Sequence, residues 1–168
     1  MLDPRFREAI VAAAHTYQDL EIRAALIGGL AAGAYGRPRA TRDIDFLVGD
    51  EAWTSKGVIL SIKPGVPQMA NGIPVDNIPF PHEYHGLYET ALYEAIESDV
   101  SGVLILQPEM VAVTKLAGGR SKDIASVVDM MEAESIDLAE LEKTVSPYSK
   151  LRAMFDRAVS EWRQGDGE

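Results

Sequence analysis

The chain has 168 residues, 46% of them hydrophobic and 25% charged, which is enough apolar material for a buried core and excludes a disordered tail or a fibrous protein. It has no cysteine, which excludes a disulfide framework and thiolate zinc sites and is compatible with the reducing cytoplasm, where we expect it. A formal net charge of -10 opposes extensive nucleic-acid binding through phosphate neutralisation, while a local basic patch for RNA contact stays open.

The opening "MLDPRFREAI" lacks the basic segment and apolar run of a secretion signal, and no apolar run approaches the roughly 18 residues of a membrane span. Secretion and membrane insertion are therefore not expected. A first helix is predicted from about Asp3 to Leu20, with Asp3 as N-cap, Pro4 at the first helical position, and Phe6, Ile10, Val11 and Ala14 on its apolar face. "IRAALIGG" reads as a buried strand and a tight turn, followed by a helix in "LAAGAYG" that closes near Gly36. "GRPRATR", with Arg37, Arg39 and Arg42, is a basic loop that feeds a second strand, "DIDFLVG".

Between Asp50 and Gly72, "VILSIKPG" and "VPQMANG" leave strand and loop both open. "IPVDNIPF" reads as a third strand, which Pro74 and Pro79 confine to an edge or a short pairing. "PHEYHGLYETALYEAIESD" gives a loop and a helix carrying Leu87, Ala91, Leu92 and Ala95, and "VSGVLILQ" a fourth strand. A helix starts at Pro108 and stops at Gly118 and Gly119. From Arg120 to about Arg163 the pattern stays helical with a break near Ser146 and Pro147, and the tail "QGDGE" reads as disordered. We expect a single α/β domain over 1–168, with a mixed strand and helix core in 1–107 and a helical part in 108–163.

Asp43 and Asp45 stand one residue apart among Ile44, Phe46, Leu47 and Val48, where unpaired acids would cost several kcal/mol. In a strand they would share a face with Cα atoms roughly 6.5 Å apart, able to bracket one or two divalent cations as in a two-metal phosphoryl-transfer site. Gly28 and Gly29, at a strand-to-helix turn, would let a triphosphate approach the backbone at a helix N-terminus. Taken singly, an Asp-x-Asp is a capping or solvated pair and a Gly-Gly is turn chemistry; their combination around a basic loop carries the reading. No Gly-x-x-x-x-Gly-Lys-Ser/Thr and no Gly-x-Ser-x-Gly occur, which removes a P-loop NTPase and an esterase-type elbow. "HEYH", His82 to His85, lacks the i, i+4 spacing of a zincin and reads as a surface loop, His15 as ordinary helix packing or solvent, and Tyr84, Tyr88 and Tyr93 as core or rim, with base stacking open for the first two.

The block "IGGLAAGAYGRPRATRDIDFLV" resembles the signature of the nucleotidyltransferase superfamily related to DNA polymerase beta. The resemblance implies a small mixed sheet flanked by helices, with a helical C-terminal part. It implies a two-metal enzyme that moves a nucleoside monophosphate from an NTP to a hydroxyl acceptor on a protein, small molecule or RNA, and releases pyrophosphate. Asp43, Asp45 and a third carboxylate, best matched by Asp76, would hold two Mg²⁺ ions, and Gly28, Gly29 and Thr41 would meet the nucleotide. "QPEMVAVTKLAGGRSKD" is similar to the bacterial abortive-infection toxin type, which would place Lys115 and Lys122 on the triphosphate with Asp123 assisting. Asp76 as a turn residue and the two lysines as solvated helix charges remain the alternatives. So does a non-catalytic nucleotide-binding or partner-binding module, one half of a toxin–antitoxin-like pair with a cognate protein partner.

Overall fold

The computed structural model describes residues 2–54 and 68–166. "VILSIKPG" and the first two residues of "VPQMANG" lie outside the described residues. The chain packs as two units. The first comprises the chain up to Ile27 with Ala40–Gln107, and the second Gly28–Arg39 with the chain from Pro108 onward.

The first unit is built on a six-stranded mixed sheet. Its strands are β1 (Ala24–Ile27), β2 (Ile44–Val48), β3 (Gln68–Ala70), β4 (Ile73–Ile78), β5 (Ile96–Glu97) and β6 (Leu104–Ile105), in the order β3-β4-β2-β1-β6-β5. β2 runs antiparallel to β1 and parallel to β4, with Asp45 opposite Asp76 and Phe46 opposite Asn77. Side chains alternate across a strand, so Phe46 and Asn77 share one face while Asp45 and Asp76 share the other.

Helix α1 (Pro4–Asp19) covers the Phe46 face. Its start is as expected: Pro4 opens the helix and the Asp3 carboxylate accepts from the Arg5 N–H at 2.8 Å. Its buried side is Ala9, Ile10, Ala13, Ala14 and Tyr17, shifted from the expected face because Phe6 and Val11 are only partly covered. Tyr17 meets Phe46 edge-on at 5.0 Å between centroids, and its hydroxyl donates to the Asn77 Oδ1.

β4 is flanked on both sides, so of the two expectations, an edge or a short pairing, the second holds, with four residue pairs to β2 and three to β3. Pro74 is tolerated because the ladder with β2 begins only at Val75, so its missing N–H faces no β2 carbonyl. A 3₁₀ turn at His82–Tyr84 leads into α4 (His85–Tyr93), so "HEYH" opens a helix where a loop was expected. Tyr84 and Tyr88 are buried, whereas Tyr93 is 78% exposed. Ala95 lies beyond α4, and Ile96 and Glu97, predicted as helix, pair antiparallel with β6. Arg23 ties this end together, donating to the Leu92 and Tyr93 carbonyls at 2.8 Å each while its backbone N–H meets Glu51 of the short helix α3 (Glu51–Thr54).

The second unit is all helical: α2 (Gly28–Tyr35), α5 (Pro108–Gly118), α6 (Ser121–Glu132), α7 (Leu138–Val145) and α8 (Ser149–Gly165). α5 stops where the glycine pair was expected to stop it, with Gly119 at φ +68°, a left-handed conformation that suits glycine. A second break follows α6, where Glu134 takes φ 54°, and α8 runs on through Gln164 and Gly165 of the tail expected to be disordered. Ile124, Val127 and Met130 of α6 are fully buried, and the backbone of Asp129 and Met130 lies so close to Gly36 that a Cβ there would approach it at 3.0–3.1 Å. Arg39 of the basic loop pairs with Asp129 at 2.7 Å. Among the described residues, no helix is long and apolar enough to cross a membrane.

Candidate active site

The sheet register explains how three acids come together. Asp45 and Asp76 are direct neighbours on parallel strands, which stand about 4.8 Å apart. Asp43 precedes β2 in a bend instead of lying within the strand, yet is partly buried as Asp45 is. One carboxylate oxygen from each of Asp43, Asp45 and Asp76 lies within 4.8 Å of the other two. Thr41 fixes the approach to β2, its hydroxyl lying 3.1 Å from the Asp43 carbonyl and 3.3 Å from Asp43 Oδ1.

Burial raises the Asp76 pKa above the ordinary aspartate range, the Asp43 charge raises it further, and a hydrogen bond with Asp45 pulls it partly back. Neither Asp43 nor Asp76 forms an ion pair among the described residues. Three hard oxygen donors at this spacing fit a cation such as Mg²⁺, which favours carboxylates.

The raised pKa has a consequence for stability. A carboxyl whose folded pKa exceeds its unfolded value disfavours the fold at pH values above both, and the cost disappears as pH falls through the folded value. Asp76→Asn should therefore raise the melting temperature of the metal-free protein at pH 7, by roughly 2 °C. Thermal melts in chelator would show it; a lower melting temperature would mean that the three charges do not repel in the fold.

Gly28 follows Ile27 directly, begins α2 and takes φ +72°, a conformation that disfavours any other residue there. In the helical unit, Asp123 is 1% exposed and bound on two sides. Arg120 donates to it from Nε at 2.8 Å and from its backbone N–H at 3.2 Å, and Lys115 Nζ lies 3.6 Å away. Burial raises the Asp123 pKa, but the Arg120 hydrogen bonds and the Lys115 charge outweigh it and hold the carboxyl below the usual range. Lys122 is exposed. Arg120 was not singled out in the sequence, although its spacing from Asp123, three residues on across a helix start, is the capping-box offset.

No protein-family model and no curated protein matches this sequence. Two solved structures resemble it over nearly the whole chain. An antigenic nucleotidyltransferase-like protein from Paracoccidioides brasiliensis is 16% identical at a TM-score of 0.50, over 92% of this chain and 93% of its own. The antibiotic-resistance factor ANT(2'')-Ia is 15% identical at a TM-score of 0.55, over 98% of this chain and 97% of its own. The chain has a nucleotidyltransferase-type fold.

Proposed function

We propose that this protein is a metal-dependent nucleotidyltransferase. The observation that carries the reading is the meeting of Asp43, Asp45 and Asp76 at the adjoining β2 and β4 strands, within a fold shared with nucleotidyltransferases. In this reading the three aspartates would hold two Mg²⁺ ions, whose charge would polarise phosphoryl oxygens and offset charge developing on them. An acceptor hydroxyl oxygen forms a bond to the α-phosphorus of an NTP, the bond to the β-phosphate bridging oxygen breaks, and pyrophosphate leaves. Asp76, beside Asp45 on the neighbouring strand, would help to take the hydroxyl proton, since a bound metal lowers the pKa of the hydroxyl. Thr41 fixes Asp43.

By the resemblance read from the sequence, Gly28, Gly29, Lys115 and Lys122 meet the phosphates, with Asp123, 3.6 Å from the Lys115 ammonium, orienting it. The same stretch supports the abortive-infection toxin type within the superfamily. The acceptor is a hydroxyl on a protein, a small molecule or RNA, and the net charge of -10 favours the first two.

Calorimetric titration with each NTP, with and without Mg²⁺, tests the reading on the wild type and on Asp43→Ala/Asp45→Ala. The expected result is Mg²⁺-dependent binding of at least one NTP that the double substitution removes. Binding that is indifferent to both Mg²⁺ and the substitution would overturn it, as would a folded wild type that binds no NTP.

A further inference from the structure

We propose a second divalent-cation site, selective for a nitrogen-accepting transition ion such as Zn²⁺, made by Asp50, His85 and Glu89. Asp50 follows the C-terminal end of β2, whereas His85 and Glu89 lie one helical turn apart at the start and middle of α4. Residues at i and i+4 project from the same side of a helix, so the imidazole and the Glu89 carboxylate face Asp50 together. One ligand atom from each of the three lies within 4.8 Å of the other two. The closest pair is His85 Nε2 and Asp50 Oδ2, 2.6 Å apart. The Phe80 ring packs edge-on against the imidazole at 5.2 Å between centroids and 85°, which holds the ring in the orientation that aims Nε2 at the carboxylate.

The donor set decides which ion fits. One imidazole nitrogen with two carboxylates suits Zn²⁺ and its neighbours better than Mg²⁺ or Ca²⁺, which favour oxygen alone, and an open fourth position is left for water. Ligand atoms on a tetrahedral zinc at about 2.0 Å stand roughly 3.3 Å apart. The Asp50–His85 separation therefore has to widen by less than an ångström, which two half-exposed side chains can supply. The Glu89 carboxylate forms no hydrogen bond or ion pair among the described residues, so turning it inward breaks none.

This cluster is separate from the aspartate triad. Asp45 lies near the start of β2 and Asp50 beyond its end, roughly 15 Å further along an extended chain. A bound ion would clamp the turn after β2 to α4.

The test is equilibrium dialysis of the whole chain against Zn²⁺ in excess Mg²⁺, which occupies all-oxygen sites, together with imidazole proton resonances that distinguish His85 from His15 and His82. The expected result is saturable Zn²⁺ retention that shifts the His85 resonances alone and weakens at least about 10-fold in both His85→Ala and Glu89→Gln. Glu89 is exposed, so Glu89→Gln decides the matter should His85→Ala fail to fold. Equal Zn²⁺ retention in wild type and Glu89→Gln, no retention by the wild type, or shifts at His15 or His82 in place of His85 would overturn the proposal. None of these outcomes depends on nucleotide binding.

Discussion

Asp45→Asn is expected to reduce nucleotidyl transfer by roughly 10³-fold or more while the protein stays folded. Asparagine keeps the shape of aspartate but removes the charge, so the site loses one of its three anionic donors at the position registered against Asp76. Electrostatic stabilisation of this kind is worth several kcal/mol in the transition state, and each 1.36 kcal/mol is a factor of about ten in rate. The fold should not suffer, because asparagine keeps the shape of aspartate and can still hydrogen-bond Asp76, while one negative charge leaves the cluster of Asp43, Asp45 and Asp76. Single-turnover assays with a labelled NTP, read beside a circular dichroism melt, separate the two effects. Undiminished turnover in a folded Asp45→Asn protein would sink the catalytic assignment.

The second large effect falls on stability, in the helical unit. Asp123→Ala should cost about 3 kcal/mol and lower the melting temperature by roughly 10 °C. The carboxylate it removes is 1% exposed, accepts three hydrogen bonds from Arg120 and faces Lys115, whose own side chain is only 13% exposed. Truncation leaves the mostly buried Lys115 ammonium without its counter-charge. It also strips the start of α6 of the acceptor that satisfies the Arg120 N–H.

The sign with pH follows from the depressed Asp123 pKa. The wild-type advantage is fully present above the unfolded aspartate value of about 4 and is lost as pH falls through the lower folded value. Urea unfolding at pH 7 and again in acid measures both. A deficit at pH 7 of a few tenths of a kcal/mol would show that water reaches Lys115 and that the network is decorative. Gly118 belongs to the same arrangement, because a Cβ there would come within 2.6 Å of Asp123 Oδ2.

Where the sequence reading departed from the structure, the cause was distance along the chain. Ile96 and Glu97 were read as the end of a helix because two residues carry no period; their pairing with Leu104 and Ile105 makes them a strand. Pro74 and Pro79 were read as confining the strand to an edge or a short pairing, and only the sheet decided for the short pairing, since a lone proline does not say which neighbour the strand will meet on which side. "HEYH" was weighed as a His82–His85 pair and read as a surface loop, while the residues that converge on His85 are Glu89, one turn along α4, and Asp50, far back in the sequence. The His-x-x-x-Glu spacing was there to be read, but only the helix gives it meaning.

The sequence by itself determined what short-range sterics and hydrogen bonding decide. The capped, proline-led start of α1, the left-handed Gly28 at the head of α2, the glycine stop after α5 and the Asp-x-Asp entering β2 follow from neighbours a few residues apart. Only the tertiary structure decided that β4 lies parallel to β2 with Asp76 beside Asp45, and that α5 and α6 bring Lys115 and Arg120 to Asp123. Strand register is fixed by which face each strand buries. Here the Phe46 and Asn77 face lies under Tyr17 of α1, so Asp45 and Asp76 are turned to the opposite face together.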